Sequence, residues 1–398
     1  MCATNKQLYN SLKPLIEQSL NNSLEFTLDR AKQIGTEFAV SFREKEMYKG
    51  LTPEEIAGVA SGSMMDLQYR LELEGSCGFR DLEFTCLVSL TDTCGMGADK
   101  GFKDGMKTIN VSTLSAIVNA SLGNKIVKHG SYGNTSSIGS TDFIDMTGSK
   151  VYQQTLDDYV ECLEENNFVY SDAHESKTIH DLSHLLMGET INHIIGPMTT
   201  PVSKYTKLNR VLGINHNVST KDIAKAYELI NNKGFQKIGN VCVVAGLSKD
   251  FENEELKNSE FAKRYTILDE LSPYESMLSF VVNGSYKGDY LFSPDDILLD
   301  IHESEIISKN IKEECYRDNI NALKGANKER SKYLAMNSAL VEFTVNYAQK
   351  ENAFVDGRLN RKYMRECYDK CLEEIKSGRA FKTLKNYVAM TGGEFNEI

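Results

Sequence analysis

The chain has 398 residues, with 45 Lys and Arg against 56 Asp and Glu and a formal net charge of −11. A chain this long divides into about two or three domains with room for a core. Its 41% hydrophobic and 25% charged fractions exclude intrinsic disorder. The acidic balance argues against nucleic acid and anionic membrane as general partners. No uncharged apolar run approaches the ~20 residues of a membrane helix. Met1–Leu20 also lacks the basic-then-apolar order of a secretory signal, so a cytoplasmic protein is expected.

The first seventy or so residues read as helices alone. Leu8, Leu12, Leu15, Ile16 and Leu20 recur at helical spacing, and a second stripe runs through Phe26, Leu28, Ala31, Ile34, Phe38, Ala39 and Phe42. Thr52-Pro53-Glu54-Glu55 is a capping box with proline at the first helical position, ahead of Ile56, Val59 and Ala60. From about residue 84, short apolar runs alternate with amphipathic stretches. Strands are predicted at Phe84–Leu90, Ile126–Lys128, Phe168–Tyr170, Arg210–Ile214, Val241–Ala245 and Met277–Val282. Helices are predicted at Leu114–Leu122, Leu156–Glu165 and Ile223–Asn231. This alternation predicts an α/β fold: a small N-terminal α-helical domain, 1–80, and a large α/β domain, 81–398, with a mainly parallel central sheet. The charge-rich stretch Lys249–Lys263 reads as a solvated loop insertion. The tail from Ser304 returns to helices, one of them carrying Tyr333, Ala335, Leu340, Phe343, Val345 and Ala348.

Nine scattered cysteines without a C-x-x-C pair read as reduced thiols, Cys242 among them as a small hydrophobe. His180 and His184 form an H-x-x-x-H pair without the Glu of the zinc-protease motif or a third ligand nearby, and read as a chance pair.

Three clusters could do chemistry. Residues 92–113 place four glycines and Lys100, Lys103 and Lys107 between a predicted strand and the helix opening at Ser112-Thr113. Glycines let backbone N–H groups approach an anion, and a helix start adds unpaired donors and partial positive charge. Lys128-His129-Gly130-Ser131-Tyr132 and the hydroxyl-rich residues to Asp142 follow a second strand and suit phosphate and ribose contacts. Loops at the ends of successive strands share one edge of a parallel sheet, where open α/β sheets bind ligands. Asp269-Glu270, at a strand-to-loop transition, could hold Mg²⁺, which takes few protein oxygens.

These residues carry a resemblance. Asp92-Thr93-Cys94-Gly95-Met96-Gly97-Ala98-Asp99, then Thr108-Ile109-Asn110-Val111-Ser112-Thr113, resembles the D-x-x-G-T-G-G-D…T-x-N-x-S-T signature of anthranilate phosphoribosyltransferases. Lys128-His129-Gly130 with Ser136-Ser137 and Gly139-Ser140-Thr141-Asp142 resembles that family's K-H-G-N-R-x-x-S-S-x-x-G-S-x-D. Residues Thr190 to Pro201, Leu268-Asp269-Glu270 and Gly50 to Gly58 resemble three further motifs of the family, and all five occur in family order.

The resemblance implies a phosphoribosyltransferase that joins 5-phosphoribosyl 1-pyrophosphate to the nitrogen of an aromatic or heteroaromatic acceptor, releases pyrophosphate and needs Mg²⁺. It implies a homodimer formed through the helical domain, which a segment around 171–193 joins. By carry-over, Gly95, Gly97 and Asp99 hold the pyrophosphate end. Asn110, Ser112, Thr113, Lys128 and Ser140 hold the rest of the donor. His129, Ser131 and His184 face the acceptor, Lys128 and His129 are the catalytic candidates, and Asp269 and Glu270 bind metal.

The departures from the family pattern are specific. Asp99 and Asn110 stand eleven positions apart, about five more than in the signature, and Asp104 competes for the aspartate's role. The Asn and Arg after K-H-G become Ser131 and Tyr132. The arginine that clamps the anthranilate carboxylate becomes His184, or Ser183 if the gap is placed otherwise, and a second arginine becomes Glu189. Neither His nor Ser reproduces a bidentate clamp. The expectation is therefore a kept donor site and a rebuilt acceptor site. The alternatives are a true anthranilate phosphoribosyltransferase using another carboxylate partner such as Lys177, a related nucleoside phosphorylase, and a catalytically silent relative that binds a nucleotide or a partner.

Overall fold

The computed structural model describes residues 51–64, 83–89, 108–130, 132, 138–172, 198, 202, 206–214, 216, 218–251, 259–309 and 311–397. Helix α1 (Pro53–Met64) starts as its sequence predicts. The Thr52 N–H donates to Glu55 Oε2 at 3.0 Å, and the Glu55 N–H donates to Thr52 Oγ1 at 3.4 Å. The apolar stripes of residues 8–42 lie outside the described residues.

The order then alternates: β1 (Glu83–Ser89), α2 (Val111–Ser121), β2 (Ile126–Gly130), α3 (Ser140–Met146), α4 (Leu156–Glu165), β3 (Phe168–Asp172), β4 (Lys207–Gly213), α5 (Thr220–Asn232) and β5 (Ile238–Leu247). Helix α4 begins at another capping box, in which Thr155 Oγ1 accepts from the Asp158 N–H and Asp158 Oδ2 accepts from the Thr155 N–H. Strand β5 is buried along all ten residues, as a near-continuous apolar run in a parallel sheet should be.

After β5 come α6 (Ser259–Ala262), β6 (Thr266–Leu268), β7 (Ser276–Val282) and β8 (Ser285–Phe292). The stretch expected to be loop alone thus includes a short helix. Next are α7 (Glu303–Ile306), α8 (Lys312–Leu323) and α9 (Lys328–Asn346). The chain ends with β9 (Phe354–Val355), β10 (Arg358–Leu359), α10 (Arg361–Lys376) and α11 (Arg379–Met390).

Among the described residues the strands form one ten-stranded sheet in the order β3-β2-β1-β4-β5-β7-β8-β10-β9, with β6 also on β5. The first five are parallel, while β5–β7 and β7–β8 are antiparallel. The expected parallel sheet therefore makes up one half of a mixed one. Strand β8 follows a two-residue turn at Asn283 (φ 50°) and Gly284 (φ 80°), the left-handed pair of a tight hairpin. Helix α9 packs on α2, α10, β4 and β5, while α5 packs on β5, β7, β8 and α1. Cys162, Cys242, Cys315, Cys367 and Cys371 are free buried thiols. No described helix is long and apolar enough to cross a membrane.

Candidate functional site

Strand order reverses beside β1: β2 and β3 extend one way and β4 and β5 the other. The crevice beyond the carboxyl ends at such a point is where open α/β sheets take ligands. Here it receives the acidic pair. A Cβ on Gly213, at the end of β4, would lie 1.6 Å from the Asp269 carbonyl oxygen, and one on Gly246, near the end of β5, 2.4 Å from that of Glu270. Only glycine admits the Asp269-Glu270 backbone so close to both strands.

Helix α9 and the segment entering α2 fix the pair from other sides. Thr108 donates through Oγ1 to Glu270 Oε1 at 2.6 Å, and Tyr333 donates through its hydroxyl to the same oxygen at 2.7 Å and to the Leu271 carbonyl at 2.8 Å. One turn along α9, Asn337 Oδ1 accepts from the Leu271 N–H at 2.9 Å. Burial pushes the Glu270 carboxyl up to about 7, against the opposing effect of its two hydroxyl donors. The Tyr333 phenol moves well above its ordinary value through burial and then the Glu270 charge, so it remains a donor. Both hydroxyls land on Oε1, which leaves Oε2 to face another partner. Two adjacent carboxylates of this kind are hard oxygen ligands of the sort Mg²⁺ prefers. Among the described residues no cluster of three or more Asp, Glu, His or Cys side chains could hold a metal, so a cation here would draw its other ligands from water or phosphate.

The segments opening α2 and α3 are tied to each other. The Asn110 side-chain amide donates to the Gly139 carbonyl at 3.2 Å, and Thr113 Oγ1 donates to Ser140 Oγ at 3.1 Å. No side chain of Asn110 caps α2, and Ser112 is half-buried at its start. Lys128 is buried, with Nζ donating to the His129 carbonyl at 2.5 Å, and His129 beside it is buried as well. Gly130 closes β2 where a Cβ would come within 2.6 Å of Ser140 Cβ.

The fold thus brings Asn110, Thr113 and Ser140 together, and it ties Glu270 to the residue two before Asn110. Gly95, Gly97, Asp99, Asp104, Ser131, Lys177, Ser183, His184 and Glu189 lie outside the described residues. Sequence reasoning assigned no role to Thr108, although it stood in the quoted motif, or to Asn337. Tyr333 reads in the sequence only as part of an apolar stripe. Its hydroxyl was the available signal, since a buried tyrosine needs a partner for it.

Comparison with known proteins points to the same fold. Residues 87–250 match the family described as glycosyl transferase family, a/b domain. An anthranilate phosphoribosyltransferase of Methanococcus maripaludis is 29% identical over 342 residues, covering 85% of this chain and 86% of its own. The structure of anthranilate phosphoribosyltransferase from Saccharomyces cerevisiae in complex with PRPP and Mg superposes with a TM-score of 0.70 at 19% identity, covering 98% of this chain and 94% of that one. The same yeast enzyme with 4-fluoroanthranilate gives a TM-score of 0.68 at 19% identity, covering 98% and 93%. Residues 87–250 thus match an α/β domain of glycosyl transferase type, and the solved structures share the fold. Over most of its length the chain is similar to anthranilate phosphoribosyltransferases.

Proposed function

We propose that this protein is a magnesium-dependent phosphoribosyltransferase that moves 5-phosphoribosyl from 5-phosphoribosyl 1-pyrophosphate to the nitrogen of an aromatic or heteroaromatic amine, with release of pyrophosphate. The observation that carries the reading is the 2.6 Å hydrogen bond from Thr108 to Glu270, 162 positions away, because it joins the exit of the glycine-rich segment to the acidic pair. A nucleoside phosphorylase would give Asp269 and Glu270 no clear task.

The residue types fit the chemistry. As pyrophosphate leaves, negative charge builds on its oxygens while C1 of the ribose becomes oxocarbenium-like. Preorganised donors on the leaving group and a nearby nucleophile lower that barrier. Asp269 and Glu270 would hold Mg²⁺, which supplies charge neutralisation on the pyrophosphate when bound. Gly95, Gly97 and Asp99 hold the pyrophosphate end of the donor, and Asn110, Ser112, Thr113, Lys128 and Ser140 orient the rest. Backbone N–H groups at the start of α2 add partial positive charge. An aromatic amine is unprotonated at neutral pH, so His129, Ser131 and His184 need only place it, without a strong base. In this reading the enzyme is a cytoplasmic homodimer formed through residues 1–80.

Steady-state assays that follow pyrophosphate release test the reading. Turnover of the donor with at least one aromatic amine, abolished by chelation and restored by Mg²⁺, is expected. Binding of the donor without turnover of any amine, anthranilate included, would favour the catalytically silent relative.

A further inference from the structure

Helix α8 lies outside every motif of the donor site, yet one of its faces closes on that site. Lys312, Tyr316 and Asn319 stand at i, i+4 and i+7 on one stripe. Lys312 Nζ pairs with Asp142 Oδ1 at 2.6 Å, and Asp142 Oδ2 accepts from the Gly139 N–H at 2.9 Å. The Gly139 carbonyl accepts from the Asn110 side chain at 3.2 Å, and the Asn110 N–H donates to Asn319 Oδ1 at 2.7 Å. Between these two ends, the Tyr316 ring packs against Phe143 with centroids 5.8 Å apart. The contacts form a closed ring from α8 through the starts of α3 and α2 and back to α8.

Asn319 is the unusual member. Its side chain is buried, its Oδ1 orientation is set by the Asn110 N–H, and its Nδ2 makes no hydrogen bond among the described residues. A buried amide donor left unsatisfied is a standing cost to the fold. A leucine of the same branched shape, though larger, would avoid that cost, and the half-buried Asn110 N–H could turn to water. What the leucine could not do is fix the backbone of Asn110.

We infer that Asn319 is a positioning residue for the phosphoribosyl donor, acting through Asn110, and that the Asn319–Asn110 hydrogen bond sets the start of α2 for donor binding at the expense of stability. The inference rests on the donor-site assignment proposed above. It concerns ground-state placement of the donor alone, so the acceptor should not sense it.

The test compares the full-length parent with Asn319→Leu, and with Asn319→Ala should leucine overpack. Readouts are calorimetric affinity for 5-phosphoribosyl 1-pyrophosphate with Mg²⁺, the KM for donor and for acceptor, and the thermal midpoint. The expected result is a donor affinity and donor KM weakened by about tenfold, an acceptor KM within about twofold of the parent, and a midpoint for Asn319→Leu equal to or above the parent's. Donor affinity within about twofold of the parent, or a lowered midpoint with both KM values moving together, would overturn the inference. A parent that itself fails to bind the donor would instead overturn the functional reading, so the two failures are distinguishable.

Discussion

The two halves of the sheet are built for different ends. The half beyond β5, β7 to β9, is held by tight turns, ring packing and ion pairs. Its turns use left-handed Asn283-Gly284 and Asp356-Gly357, and its face carries a cluster in which Phe354 stacks on Tyr290 at 4.1 Å and meets Phe280 edge-on at 4.9 Å. Arg358 adds paired hydrogen bonds to Glu275 and Asp296. The parallel half ends in long connections whose polar side chains bond across the chain: Thr108 to Glu270 and Asn110 to Asn319, 162 and 209 positions apart. Turns, rings and ion pairs there give stability, while polar contacts at the strand ends here assemble a site. Substitutions in the first half should move stability with little effect on ligand, and substitutions in the second the reverse.

The largest effect that would break this contrast is in the aromatic cluster. Phe280→Ala removes a fully buried ring with three aromatic neighbours, Tyr290, Phe343 and Phe354. It should cost about 3–5 kcal/mol in chemical unfolding. Donor affinity of the folded fraction should stay at the parent value, and a matching loss of affinity would show that the halves are coupled.

A smaller effect sharpens the other side. With His184 or Ser183 where the family has arginine, and Glu189 in place of a second, anthranilate would lose a charge-assisted pair worth about 1.5–3 kcal/mol, or roughly 10- to 100-fold in affinity. An uncharged aromatic amine or heterocycle should therefore be the better acceptor. Anthranilate turnover with a micromolar KM would contradict this and restore the ordinary anthranilate assignment.

The smallest effect is on pH. The Glu270 carboxyl sits near 7 in the fold against an ordinary 4.5, so the folded state holds its proton more tightly than the unfolded one. This group's stabilisation is full below about 4.5 and is lost as pH rises through about 7. Thermal midpoints of the metal-free protein should decline across that window more steeply than those of Glu270→Gln, and Mg²⁺ should raise the parent's midpoint more at pH 8 than at pH 5.5. Parallel curves for parent and variant would remove the assignment.

Much of this architecture is legible in the sequence. Short apolar runs mark β1 to β5 and β7, and the Thr52-Pro53-Glu54-Glu55 box marks α1 because capping is local. Strand β8, Ser285–Phe292, is polar at alternate positions and escaped that test, although Asn283-Gly284 ahead of it is a hairpin signal. The acidic pair was legible as a motif. Its partners were not, since Thr108 stands 162 positions before Glu270 and Tyr333 reaches it from α9, after the chain has crossed the sheet.

In the reading proposed above, the carboxyl edge of the parallel half holds a phosphoribosyl donor through the acidic pair. Calorimetric titration of 5-phosphoribosyl 1-pyrophosphate into the parent and into Asp269→Ala/Glu270→Ala, with and without Mg²⁺, tests it most directly. The parent should bind the donor in a magnesium-dependent way, and a double variant that remains folded should lose that binding. Equal affinity and equal magnesium dependence in the two proteins would contradict it.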